Sequence, residues 1–212
     1  QTTGRDEILQ FDFLGSEVQL LMPTHRLFQN PNGSFTIENT VINQTMHSRV
    51  GPEVEATLLY IKQSRLRERL QTQDIVLYDV GMGAAVNSFA ALQAARVSGS
   101  KKLHIISFEN DLTGFELALK NPTHFPFFDS EVANILLKNG EWRSENIFWE
   151  LRSGDFLKQI RATDYPDLVY FDFYSPKTCP ELWSIETFSA IPKKNTFLCT
   201  YSASTKIRIA LL

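Results

Sequence analysis

From residue 74 to residue 201 the chain repeats one pattern: a short, almost continuous apolar run, then a stretch with apolar residues at helical spacing. The runs are "DIVLYDV", "KLHIISFE", "NIFWEL", "DLVYFDF" and "NTFLCTY". Between them lie "AAVNSFAALQAARV", "DFLKQIR" and "CPELWSIETFSAI", and residues 111–139 suggest one or two helices interrupted by the turn-rich "NPTHFPF". Strands that are apolar on both faces are buried on both faces. Alternation with helices therefore predicts an α/β fold with a mostly parallel sheet covered on each side. A last helix begins in "TKIRIALL".

Ahead of this pattern, residues 1–50 read as a small cap of short strands and turns. "EVQLLMP" and "GSFTIEN" are strand-like, and "NPNGS" is a turn signal. Residues 51–212 form the main domain, opening with Pro52 at the first turn of a helix. Val54, Leu58, Ile61, Leu66 and Leu70 give that helix an apolar face. A chain of 212 residues, 43% hydrophobic, has material for one sizeable core. The formal net charge of −3 gives no global basic field, so nucleic-acid binding requires a local patch. Cys179 and Cys199 do not make a disulfide framework, and a reduced, cytoplasmic setting is expected. No signal peptide and no membrane-spanning stretch are read from the sequence.

Ligands on such sheets bind beyond the carboxyl ends of the strands, so the residues there carry the chemistry. The first core strand ends in Asp79-Val80-Gly81-Met82-Gly83. Glycines let backbone approach a ligand, and the helix N-terminus behind them favours polar or negative groups. A dinucleotide fingerprint wants a third glycine where Val86 stands, and Asp79 would repel a pyrophosphate. A cationic, phosphate-free cofactor such as S-adenosylmethionine suits Asp79 better; a tight turn with a surface Asp is the bland alternative. Glu109 ends the second strand, where an acid can accept hydrogen bonds from both ribose hydroxyls or stand as a solvated acid. Asp155 can accept from an adenine amino group, cap the helix that follows, or do both. Asp172 ends "DLVYFD" before a proline-punctuated loop, where chemistry occurs on this architecture; loop capping is the alternative. Trp183 and Phe188 are expected in the core. His47 has no partner at ligand spacing, and no metal is expected.

In order, "DVGMGAAVNSFAAL", "LHIISFE", "RSGDFLKQI", "DLVYFDFYSPKTCPELW" and "TFLCTYSASTKIRIAL" resemble the methyltransferase domain of the tRNA 5-methylaminomethyl-2-thiouridine biosynthesis proteins. "GSFTI…MHSRVGPEVEA" resembles the stand-alone members, which lack the flavin-dependent oxidase half. The matching positions are Gly81, Gly83, Asn87, Asp172, Pro176, Lys177, Pro180 and Trp183. The departures are Ala84-Ala85 for Thr-Gly, Phe173 for a glycine and Cys179 for an Asn.

The resemblance implies a Rossmann-like class I S-adenosylmethionine-dependent methyltransferase, and implies two further C-terminal strands that the 212 residues do not contain. It implies S-adenosylmethionine held by Asp79, Gly81, Gly83, Asn87, Glu109 and Asp155, and Asp172 as the catalytic residue. It implies methyl transfer to the exocyclic amine of a modified wobble uridine in tRNA, with a separate oxidase as a possible partner. Lys177, Lys206 and Arg208 follow strand ends and Arg49 lies in the cap, so these four are the expected cations for RNA. Arg65, Arg67 and Arg69 are expected on a solvated helix face. A small-molecule amine methyltransferase and a non-catalytic S-adenosylmethionine-fold protein that binds RNA or a partner are the competing expectations.

Overall fold

The computed structural model describes residues 23–98, 101–202 and 207. Its centre is a six-stranded sheet in the order β6-β7-β5-β4-β8-β9. These strands are β4 (Ile75–Val80), β5 (Leu103–Glu109), β6 (Glu141–Arg143), β7 (Ile147–Ser153), β8 (Leu168–Phe171) and β9 (Phe197–Cys199). All neighbours are parallel except β6, which runs antiparallel to β7. Three short strands, β1 (His25–Gln29), β2 (Phe35–Asn39) and β3 (Gln44–Thr45), form a separate antiparallel sheet ahead of it.

Alternation along β4 shows how the two faces are built. Ile75 and Leu77 point to one side, Tyr78 and Val80 to the other, and all four are buried. The first side packs against α2 (Leu66–Thr72), α3 (Val86–Ser98), α4 (Thr113–Lys120) and α5 (Ser130–Asn139). Phe89 of α3 sits at its centre, 4.7 Å from Phe128 and 5.0 Å from Trp149 between ring centroids. The opposite side joins Tyr78, Ile106, Phe108 and Phe171 to Phe156 of α6 (Phe156–Gln159) and Phe188 of α7 (Ile185–Ala190). Trp183 and Phe188 are core residues, as expected. Local caps fix the helix starts. Asp129 accepts the Glu131 and Val132 amides, Asp155 the Leu157 amide and Ser184 the Thr187 amide.

Several elements differ from the sequence expectation. The single helix from Pro52 is in fact α1 (Pro52–Glu55), a wide π-helical stretch over Ala56–Lys62, and α2. The break falls at Arg65, whose φ of 53° is left-handed and cannot continue a helix. The widened turn also rotates the apolar face. Ile61, Leu66 and Leu70 are buried, whereas Val54 and Leu58 are 45% and 51% exposed. The "CPELWSIETFSAI" helix is divided into a 3₁₀ turn, Pro180–Trp183, and α7, because Ser184 turns extended to cap the second piece. Strands β1 and β6 were not anticipated; "HRLFQ" and "EWR" are too short and too polar to announce themselves. Most of "EVQLLMP" lies outside the described residues, and of the terminal helix only Ile207, helical and buried, lies within them.

Two apolar residues of α3 separate core from surface. Phe89→Ala should lower unfolding free energy by about 3–5 kcal/mol in urea titrations, the usual cost of truncating a buried Phe. Val97→Ala, 69% exposed, should stay within about 0.5 kcal/mol of the parent.

Candidate functional site

The carboxyl ends of β4, β5 and β8 open into a cavity of about 320 Å³. Its floor is the turn from Gly81 to Ala84, which follows β4. Gly81 has φ +83° and Gly83 φ +53°. A Cβ on Gly81 would stand 2.8 Å from the carbonyl oxygen of Asp172, and one on Gly83 3.1 Å from the Met46 sulfur. At Gly81, where the neighbour is fixed backbone, only glycine permits this conformation. Ala85, where the resembling family has glycine, also takes a positive φ of 60°, and its carbonyl accepts the Phe89 amide as α3 starts. The left-handed turn thus accommodates a methyl group at its far end. The result is a cradle of exposed backbone that suits a ligand lying flat against it.

Glu109 stands at one wall. Its Oε2 accepts the Gly83 amide at 2.8 Å, and its Oε1 accepts the Asn110 and Asp111 amides at 2.9 and 3.0 Å. Burial raises its pKa, and the three amides oppose the shift. Each oxygen retains acceptor capacity toward the cavity. Asp172 forms the facing wall. Its Oδ2 accepts from the Asn87 side-chain amide at 2.7 Å, and the buried Tyr60 hydroxyl lies beside it. Burial first, then the nearby Glu55 charge, push Asp172 up to about 7, against the opposing pull of Tyr60 and Asn87. A carboxylate so poised exchanges a proton near neutrality.

The roof comes from the N-terminal cap. Met46 drops between two glycines, Gly83 and Gly114; a Cβ on Gly114 would meet the Met46 methyl at 2.5 Å. Gln44 reaches the loop after β8, where its Oε1 accepts from the hydroxyls of Ser175 and Thr178 at 3.1 and 2.6 Å. His47 also lines the cavity. Its Nδ1 pairs with the Thr36 hydroxyl at 2.9 Å, and burial lowers its pKa to about 4, with Glu55 opposing, so the ring is neutral at pH 7. The cap's role was not visible in the sequence. The small side of α4 at Gly114, opposite a methionine, is the signal that could have found it.

Of the expected site residues, Gly81, Gly83, Asn87, Glu109 and Asp172 meet at this cavity. Asp79 does not line it. It is fully buried beneath α3, where its Oδ2 accepts from Ser88 Oγ at 2.5 Å and Ser107 Oγ at 3.1 Å. Burial raises it to about 6 against those two hydrogen bonds. It holds the turn from below. Asp155 also lies off the cavity, capping α6 and sitting 3.7 Å from Lys158. Arg49 and Lys177 are exposed and off the cavity wall, and Lys206 and Arg208 lie outside the described residues. Phe173 takes an ordinary backbone conformation. Its ring packs edge-on against Phe171 at 5.1 Å and Phe156 at 5.9 Å, on the aromatic side of the sheet. It narrows the cavity at one edge and leaves Asp172 exposed to it. Among the described residues no group of three His, Cys, Asp or Glu side chains could hold a metal ion. No described helix is long and apolar enough to cross a membrane.

Residues 129–212 match the profile of a family described as S-adenosyl-L-methionine-dependent methyltransferase. The tRNA 5-methylaminomethyl-2-thiouridine biosynthesis bifunctional protein MnmC of Campylobacter hominis is 30% identical over 72% of this chain and 24% of its own length. An uncharacterized protein of Methanocaldococcus jannaschii, MJ0670, is 27% identical over 92% of this chain and 55% of its own. The crystal structure of MNMC2 from Aquifex aeolicus superposes with a TM-score of 0.72 at 25% identity, covering 88% of this chain and 62% of that one. The chain thus spans from about a quarter to rather more than half the length of these proteins. With the glycine turn and the strand-end acids in place, these matches make the chain an S-adenosylmethionine-dependent methyltransferase domain of the MnmC type.

Proposed function

We propose that this domain methylates the exocyclic amine of a modified wobble uridine in tRNA. The observation that carries the reading is Asp172: a cavity-facing carboxylate, held by Asn87 and poised near neutrality, opposite the glycine cradle and Glu109. The relationship to MnmC, named for the biosynthesis of a methylaminomethyl uridine, supports the choice of acceptor. This reading puts the protein in the cytoplasm with its RNA, and a separate oxidase could supply the amine. It puts Arg49, Lys177, Lys206 and Arg208 at the RNA.

Gly81, Gly83 and Glu109 would hold S-adenosylmethionine, with Asp79 supporting the turn from beneath. When bound, that cofactor supplies an electrophilic methyl group on a positively charged sulfonium. The chain's own residues do the rest. The amine must offer a free lone pair, and an alkylamine is mostly protonated at pH 7. Asp172 accepts a hydrogen bond from the amine N–H, aims the lone pair, and takes up the proton as charge develops on nitrogen. Asn87 keeps the carboxylate in place. Phe173 and the Met46 roof exclude water from one side. The position of the Phe173 ring, packed toward Phe171, favours this over the non-catalytic alternative.

Asp172→Asn retains shape and one acceptor and loses basicity. Single-turnover methyl transfer to amine-bearing tRNA should fall by roughly 10²–10⁴-fold, with S-adenosylmethionine affinity preserved. In the parent, kcat/KM for the acceptor should decline as pH falls through about 7 or somewhat below, because protonation of Asp172 removes the acceptor. A bound sulfonium would favour the carboxylate and move this limb to lower pH. The asparagine variant should lose the limb.

Glu109→Gln should weaken S-adenosylmethionine binding about 10- to 100-fold in calorimetry, the range for hydrogen bonds to a charged group. An unchanged affinity would take Glu109 out of the cofactor site.

A further inference from the structure

A second cavity adjoins the first on the side of α1 and shares Met46, His47, Phe173 and Tyr174 with it. Val50, Val54 and Leu58 line its outer wall and are about half exposed; Leu59 and Tyr201 complete its apolar lining. Glu55 is the acid of this wall. One of its oxygens, Oε2, is anchored by the Ser48 amide at 3.0 Å and the Ser48 hydroxyl at 2.7 Å. The other accepts nothing among the described residues.

The charge at this junction is uncompensated. Among the described residues no Lys or Arg forms an ion pair with Glu55 or Asp172, and the neighbouring His47 is neutral. Two tyrosine hydroxyls complete the junction. The Tyr60 hydroxyl, on a residue with no exposed surface, lies between Asp172 and Glu55 and leans on the Asp172 carboxylate. The buried Tyr174 hydroxyl, on the shared wall, lies toward Asn39. The π-helical stretch forms part of the cavity wall. Within it Leu58 faces the cavity and Tyr60 is buried, while Glu55, the last residue of α1, stands just ahead of it on the cavity wall. The free Glu55 oxygen faces the cavity and can accept a charge-assisted hydrogen bond from a ligand. A cation carrying N–H donors on a flat apolar body matches the lining.

We propose that this second cavity is the methyl-acceptor site, and that Glu55 captures the protonated amine of the acceptor while the apolar wall holds its base. The proposal rests on the amine-methyltransferase reading and names the residue that selects the amine. Glu55 binds the ammonium form, which releases one proton to solvent as the amine moves inward; Asp172, deeper in, takes the second as methyl transfer puts charge on nitrogen. No bond to carbon is made or broken by Glu55, so it is a specificity residue and not a catalytic one.

The test uses two synthetic anticodon stem-loop RNAs, one with 5-aminomethyl-2-thiouridine at the wobble position and one with 2-thiouridine, titrated calorimetrically. The parent should prefer the amine-bearing RNA by about 10- to 100-fold. Glu55→Gln should reduce that preference to about threefold or less, with S-adenosylmethionine affinity unchanged, which also shows the variant folded. Its acid limb in kcat/KM should move to lower pH, because one of the charges raising Asp172 is gone. The groups around Asp172 that stay in place are Tyr60, Asn87, Asp79 and Tyr201. Leu58→Arg, at an exposed position, should block the amine-bearing RNA and spare the cofactor. Retained preference in Glu55→Gln, or undiminished RNA binding in Leu58→Arg, overturns the site. So does a parent that binds both RNAs equally or neither. A parent that prefers the amine yet transfers no methyl overturns the enzymatic reading and leaves the amine site standing.

Discussion

The site depends on a carboxylate that lies beneath it and lines none of its walls. Asp79 is sealed under the first turn of α3, and its Oδ2 gathers the hydroxyls of Ser88 and Ser107. Ser107 in turn accepts the indole N–H of Trp149. One buried oxygen thus links β4, α3, β5 and β7. Its other oxygen has no partner, and burial lifts its pKa to about 6. Such a group is expensive to bury unless it is hydrogen-bonded. What it secures is the start of α3, and with it the left-handed turn whose backbone forms the cradle.

The sequence pattern was sufficient for the sheet because apolar runs and helical spacing are local signals. Strands 75–80, 103–109, 147–153 and 168–171 lie where the runs lie, and the glycine turn and the acids Glu109 and Asp172 follow from them. Asp79 and Asp155 were legible as strand-end acids, yet proximity in sequence does not say which way a side chain points. Asp79 alternates onto the face of the sheet covered by α3, and Asp155 turns to cap α6. Met46, Gln44 and Glu55 were not legible at all. Each acts on residues far along the chain, and nothing in "NQTMHS" or "GPEVEA" marks its partner. The widened helix over Ala56–Lys62 was hidden as well, since periodicity alone does not separate 3.6 from 4.4 residues per turn in so short a stretch.

The electrostatics of the cleft have a single sign. Glu109, Asp111, Asp172, Glu181 and, next door, Glu55 line it, while of its two histidines His47 is neutral at pH 7. A cleft of this character repels phosphate. On the proposed reading an RNA would present only its base and amine to the interior and keep its backbone at the rim. The substitution of Phe173 for glycine fits the same economy of space, because its ring is absorbed by the aromatic cluster below.

The roof has a consequence for how the molecule comes into being. Gln44 meets Ser175 across 131 residues of chain, and Thr178 across 134. Contacts this distant form late, after the loop between them has been closed by the sheet. A ribosome must therefore release nearly the whole domain before the chamber has a ceiling. Until then, the glycine turn and its acids lack the part of their cover that Gln44 ties down.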